Sequence, residues 1–226
     1  MPTEQLGGGR VIEVTEDHTF GTDALLLADF ADARSYETVC DLGTGCGILP
    51  LLLHRTTPAP TVDAVELNED AAALARRNVE ANGLRDAITV HCADWRFLSL
   101  PAGKYDRVLC NPPYFPEHSG KAPLSPARRL ARQEQGDTLN DVTAAAARLL
   151  KNGGHFVFCH RPERLADIVA ALRAHGLEPK RLQFVHTRAA LPPFLCLCDA
   201  VRQAKPALSV LPPKILESEV PLCREP

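Results

Sequence analysis

The chain has 226 residues, 45% of them hydrophobic and 23% charged, with a formal net charge of -3. That size and apolar share suit one large globular domain over 1–226 with little room for a second, and the small negative charge argues against a general nucleic-acid coat. No run approaches the roughly 18 apolar residues of a membrane span, and the opening MPTEQLGGGRVIEV lacks the basic and apolar order of a secretion signal, so a soluble, cytoplasmic protein is expected.

In chain order, residues 1–35 read as an N-terminal extension holding one helix, at 23–32. Short apolar runs then alternate with helical patterns: a strand at 38–42, a helix at 48–55, a strand at 61–67, a helix at 69–82, and strands at 87–93 and 105–110. After a long irregular stretch come a helix at 138–150, a strand at 154–160, a helix at 162–175 and strands at 181–186 and 194–201. Alternation of this kind predicts an α/β fold, a Rossmann-like doubly wound sheet of seven strands. The sheet should be mostly parallel, with an antiparallel last strand. The irregular stretch, 115–137, is long enough to be a substrate lid. Cys40, Cys92, Cys110 and Cys159 sit in apolar strand-like runs, no CxxC pair occurs, and Cys196 and Cys198 are too close for a usual zinc knuckle. Neither a disulfide framework nor a metal is assigned.

Charge is unevenly spread. Residues 1–113 hold 9 Lys+Arg against 17 Asp+Glu, and residues 114–226 hold 16 against 11. A polyanion would be drawn to the second half, although a solvated basic face gives the same count.

The chemistry gathers at strand ends. CDLGTGCG (40–47) places Asp41 at the end of a strand and Gly43, Gly45 and Gly47 in the turn that follows, where the backbone can bend sharply and a ligand can approach closely. Glu66, 19 residues after Gly47, ends the next strand, where a carboxylate can accept ribose hydroxyls. Asp94 follows the third strand, as a ligand contact or a helix N-cap, and Asn111 closes the fourth. In an open α/β sheet these ends meet in one crevice.

The stretch DRVLCNPPYF (106–115) ends a buried strand on two prolines, which cannot donate to a sheet ladder. GxGxG after an acid, with Asn-Pro-Pro-Tyr after the fourth strand, resembles the S-adenosylmethionine-dependent amino-methyltransferases and departs from the GxGxxG of nicotinamide enzymes. The resemblance implies S-adenosylmethionine as cofactor. It sets Asp41, Gly43 and Gly45 along the methionine part, Glu66 at the ribose, Asp94 beside the adenine and Asn111 among the contacts. Asn111, Pro112, Pro113 and Tyr114 become the catalytic group. An aromatic amine is a poor nucleophile because its lone pair is delocalised; the Asn111 side-chain carbonyl and the Pro112 main-chain carbonyl can accept its two N–H bonds, and Tyr114 can stack on the base.

Only about 37 residues precede the first of these seven strands, too few for the helical substrate domain of the glutamine enzymes that share the tetrapeptide. DHTFGTDALLLADFA (17–31), HRPERLADIVAALRAHGLEPKRLQFVH (160–186) and KPALSVLPP (205–213) resemble the bacterial tRNA1(Val) adenine-37 N6-methyltransferase family, especially its Gram-positive branch. The resemblance spans roughly 8–213 and implies tRNA as partner, with Gly21, Thr22 and Asp23 over the methionine end of the cofactor. A helix start capped by Thr22 or Asp23 explains the same residues. ARQE at 131–134 stands where that branch tends to have Ala-Arg-His-Glu, and the tail lacks the expected acidic, tyrosine-bearing end. Lys121, Arg128, Arg129 and Arg132 in the lid, with Arg161, Arg164, Lys180 and Arg181 later, are candidates for RNA phosphate. A catalytically idle cofactor-binding partner of RNA, and a methyltransferase of proteins or small amines, stand as alternatives. The sequence leaves the oligomeric state open.

Overall fold

Alternate residues of the central strands belong to opposite apolar cores. Val39, Leu109, Val157 and Leu197 enter one; Cys40, Val108, Phe156 and Cys198 enter the other. A sheet buried this way needs helices on both faces. The computed structural model of the protein, which describes residues 2–55, 60–112 and 138–218, has that architecture. A hairpin of β1 (Thr3–Gly7) and β2 (Arg10–Glu13) comes first, then helix α1 (Thr22–Ala31). The central strands are β3 (Thr38–Leu42), β4 (Thr61–Glu66), β5 (Ile88–Cys92), β6 (Tyr105–Cys110), β7 (Leu150–His160), β8 (Leu177–His186) and β9 (Leu195–Arg202). Helices α2 (Ile48–Leu53) and α3 (Glu69–Ala81) join α1 on the first core, and α4 (Thr138–Leu149) and α5 (Leu165–Ala174) cover the second.

The seven strands lie in the order β8-β9-β7-β6-β3-β4-β5, and β9, the last, is antiparallel to both its neighbours. Two-residue strands β10 (Ser209–Val210) and β11 (Lys214–Ile215) pair with the outer edge of β8, making nine strands in all. Strand β9 is buried over its first six residues, as a strand covered on both faces must be. From β3 the chain winds outward through β4 to β5, then returns to place β6 on the other side of β3. That reversal is the topological switch point, where ligands of such sheets bind at the carboxyl ends.

Several boundaries differ from the sequence reading. Strand β7 starts at Leu150, because Lys151 to Gly154 continue the strand through a register shift opposite Tyr105–Arg107, where KNGG reads as a turn. The helix expected at 162–175 divides into a 3-10 turn at Pro162–Arg164 and α5. Cys92 is exposed on edge strand β5, whereas Cys40, Cys110 and Cys159 are buried as small hydrophobes. Among the described residues no group of His, Cys, Asp and Glu could hold a metal ion, and no helix is long and apolar enough to cross a membrane.

The hairpin was not foreseen, and its anchorage is unusual. Asn78 of α3 and Asn82, the C-cap of that helix, lie one helical turn apart and take the place of a third strand. The Asn82 amide accepts from Val11 N at 2.9 Å and donates to Val11 O at 2.7 Å. The Asn78 amide accepts from Glu13 N at 2.8 Å and donates at 2.9 Å to both Glu13 O and Cys46 O, so it also clamps the turn into α2. Asn78→Ala would strand buried backbone groups and should lower stability by roughly 1–3 kcal/mol. Urea unfolding checks this, and an unchanged midpoint would mean water replaces the clamp.

Candidate active site

The strand ends at the switch point are joined by backbone and carboxylate hydrogen bonds. Past the end of β3, Gly43 N and Thr44 N both donate to Val65 O, at 2.9 and 3.0 Å. Gly43, Gly45 and Gly47 all have positive φ, 78°, 57° and 86°, so the turn is closed to residues with a Cβ on conformational grounds. Glu66 fixes it from β4: one carboxylate oxygen accepts from Gly45 N at 2.8 Å, the other from Asn68 N at 2.9 Å. Asn68 in turn caps α3, accepting from Ala71 N at 2.9 Å.

Asp41 lies under this turn with no exposed surface, and neither carboxylate oxygen has a hydrogen-bond partner. Burial, with a smaller contribution from the Glu66 charge, pushes its carboxyl up to about 7. The nearby Thr44 hydroxyl offsets part of the rise, although Oγ1 is itself buried without a partner of ordinary hydrogen-bond geometry. Buried polar atoms left in this way are costly unless a ligand completes them. Orphaned acceptors beneath a turn of three positive-φ glycines fit the cationic methionine end of S-adenosylmethionine.

Asp94, two residues past β5, caps the 3-10 turn Trp95–Phe97 by accepting from Arg96 N at 2.9 Å. Its carboxylate also accepts from the Arg96 guanidinium, at 2.5 to 3.0 Å, and this pairing holds it below the usual carboxylate range. Any base amine at Asp94 must therefore share it with Arg96. Three large side chains at these strand ends escaped the sequence reading. A Cβ on Gly43 would come within 3.2 Å of the Trp95 ring, and Leu67 and Phe97 are 51% and 82% exposed. Leu67 and Trp95 directly follow Glu66 and Asp94, and Phe97 lies three residues after Asp94, which was the available signal.

Asn111 follows β6, next to the end of β3 across the switch point. Its Oδ1 accepts from the Cys159 thiol of β7 at 3.1 Å. Pro112 is half-buried beside it. Pro113, Tyr114, Lys121, Arg128, Arg129 and Arg132 lie outside the described residues. The N-terminus of α1 is at the same end of the sheet, since its C-cap, Asp32, lies at the opposite edge beside the first residues of β6 and β7. Gly21 is the N-cap, in place of Thr22 or Asp23, and no side chain caps the helix; Asp23 accepts from Ala24 N at 3.0 Å.

Among the later basic residues, Arg181 points inward, donating to Asp199 at 2.9 Å with its guanidinium 4.7 Å from the Phe30 ring centre. Arg164 pairs with Asp167 at the surface. A polar cavity of about 460 Å³ opens at the amino ends of the strands, away from the switch point. Its polar side chains pair among themselves, Glu37 with Arg107 at 3.0 Å, Asp106 with Lys151 at 2.7 Å and Asp199 with His155 at 2.9 Å, which reads as a network joining strands.

Sheet order and switch-point chemistry together place the protein among the S-adenosylmethionine-dependent methyltransferases, and residues 17–169 match the methyltransferase small domain family. The chain belongs to the tRNA1(Val) (adenine(37)-N6)-methyltransferase family. It is 35% identical to the protein of that name from Tolumonas auensis over 178 residues, 78% of this chain and 73% of the relative. With the one from Aeromonas hydrophila it shares 36% identity over 155 residues, covering 68% and 64% of the two chains. Among solved structures, TrmN from Thermus thermophilus is 26% identical with a TM-score of 0.56, covering 79% of this chain and 48% of that one. A predicted O-methyltransferase from Agrobacterium tumefaciens has a TM-score of 0.68 over 85% of this chain and 86% of that one; at 24% identity it shares the fold.

Proposed function

We propose that the protein transfers a methyl group from S-adenosylmethionine to N6 of an adenine in tRNA, adenine 37 of tRNA1(Val) being the target its relatives are named for. The observation that carries the reading is that paired strands bring Asn111, a side-chain carbonyl one residue past β6, and the buried carboxylate of Asp41, near the end of β3, to the same end of the sheet. The bound cofactor supplies an electrophilic methyl group. Asp41 and the glycine turn hold its methionine end, Glu66 its ribose, and Asp94 its base. Asn111 Oδ1 and the Pro112 carbonyl accept the N–H bonds of the target amine, which favours the pyramidal nitrogen able to attack. The target base leaves its stack to enter the crevice. Residues 115–137 are assigned as the substrate lid, with Lys121, Arg128, Arg129 and Arg132 toward RNA phosphate. The protein acts as one methyltransferase unit in the cytoplasm, where its substrate is.

A transfer assay with labelled methyl donor tests this. A tRNA1(Val) transcript should be methylated and the same transcript with guanine at position 37 should not. Equal labelling of both would place the target elsewhere.

Glu66→Ala should weaken S-adenosylhomocysteine by roughly 1.5–3 kcal/mol, the worth of a charge-assisted hydrogen bond. Because Glu66 also holds Gly45 N and Asn68 N, the loss should lie toward the upper end of that range. Calorimetry giving wild-type affinity for the folded variant would remove Glu66 from the site.

A further inference from the structure

We propose that Cys159 is a positioning residue for the transfer reaction, its thiol hydrogen bond holding the Asn111 side chain in the orientation that presents Oδ1 to the target amine. The inference rests on the reading of Asn111 as the amine acceptor.

Cys159 and Asn111 are 48 residues apart in sequence, and strand pairing brings them together. Cys110 of β6 is opposite Phe158 of β7 in parallel register, so Asn111 and Cys159 are the next residues along the two strands. The Cys159 side chain is buried in the first core, with Sγ 3.1 Å from Asn111 Oδ1. Asn111 is the last residue before Pro112, where the ladder cannot continue. Its side chain therefore leaves the sheet at the point where regular backbone support ends. An asparagine side chain rotates about two bonds, and its amide presents donors on one side and an acceptor on the other. Catalysis by an acceptor needs the carbonyl at the amine.

A thiol suits this task chemically. The S–H group is a weak donor, so it can set the direction of Oδ1 while drawing little electron density from it. An sp² oxygen accepts two hydrogen bonds, so a bond to Cys159 does not exclude one to the substrate. A hydroxyl donor at the same position would hold the same direction. The turn that holds the cofactor is built from β3, β4 and α3, whereas Cys159 belongs to β7. Its influence should therefore fall on turnover and spare cofactor affinity.

The test compares Cys159→Ala and Cys159→Val, which lack a donor and bracket the thiol in volume, with Cys159→Ser, which keeps one, and with Asn111→Ala. Turnover is measured on saturating tRNA1(Val) transcript, S-adenosylhomocysteine affinity by calorimetry and folding by thermal melting. The alanine and valine variants should each lose about 3- to 10-fold in kcat, the range of one modest hydrogen bond, with cofactor affinity within about twofold. Serine should recover most of the loss, and Cys159→Ala should cost nothing further in the Asn111→Ala background. If alanine and valine turn over as wild type while Asn111→Ala is inactive, the positioning role is wrong and the reading of Asn111 stands. Equal losses for serine and valine would assign the effect to packing and overturn the proposal. Wild-type turnover by Asn111→Ala would instead sink the underlying assignment of Asn111. Should the alanine variant fail to fold, the serine and valine pair gives the same decision.

Discussion

Replacing Asn111 by alanine should cut turnover by roughly 100-fold or more and leave cofactor affinity within about twofold. The magnitude follows from where the residue acts. An acceptor aimed at a group whose charge changes in the transition state contributes most when it is fixed beforehand in a partly dry site, and removing one such contact costs about 10²- to 10³-fold in comparable enzymes. Asn111 meets both conditions: it is half-buried at the switch point, and Oδ1 is already held by Cys159 at 3.1 Å. Removing it leaves intact the hydrogen bonds that shape the glycine turn, which come from Val65, Glu66, Thr44 and Asn78. Loss of kcat without loss of S-adenosylhomocysteine binding is the signature of an interaction made in the transition state. Single-turnover assays with saturating tRNA decide the point. A variant that binds and turns over normally would leave Asn111 as nothing more than a strand terminator.

How far the sequence leads depends on which physical signal each feature leaves. The seven main strands are legible because a sheet covered on both faces demands continuous apolar runs, as in LCLCDAV of β9. Asp41, Glu66 and Asn111 are legible because each stands at the carboxyl end of such a run, and topology alone brings those ends together. The hairpin leaves no such signal. Its second strand, Arg10–Glu13, satisfies its outer edge with the side chains of Asn78 and Asn82, a partnership no local periodicity can reveal, and the glycine run between the strands reads as a loop. Trp95 and Cys159 were missed for a related reason. One packs on a turn 52 residues earlier and the other touches a residue 48 positions away, so their roles exist only once the register between strands is set. Arg181 is the opposite case: its charge invited an RNA contact, but the geometry commits it to Asp199 and Phe30.

Asp41→Asn should make the cofactor-free protein more stable at pH 8 and at the same time weaken its hold on the cofactor. An aspartate in the unfolded chain titrates near its ordinary value of 3.8, whereas burial raises Asp41 to about 7 in the folded protein. Between those values the folded state keeps a proton that the unfolded chain has released, so stability falls as pH rises through that window. Below about pH 4 both states are protonated and the burial costs no charge. Above pH 7 the full penalty applies, on the order of 4 kcal/mol for a shift of about three units. Asparagine is neutral throughout. Whatever its amide loses or gains in the pocket is nearly independent of pH, so the change in the stability difference between pH 5 and pH 8 isolates the charge. Calorimetric melts of both proteins at the two pH values should show the variant gaining on wild type as pH rises. The binding arm runs the other way. A charged carboxylate beside the cationic methionine end favours the complex, so wild-type affinity should increase from pH 6 to pH 8 with proton release on binding at the lower pH. The variant should bind roughly 10- to 100-fold more weakly at pH 8, with little dependence on pH. Both outcomes together would mean that a buried charge which destabilises the free protein is neutralised by the ligand. If the two proteins melt in parallel across pH, Asp41 is not the group that titrates. If they diverge in stability but bind alike, Asp41 is a buried acid with no part in holding the cofactor.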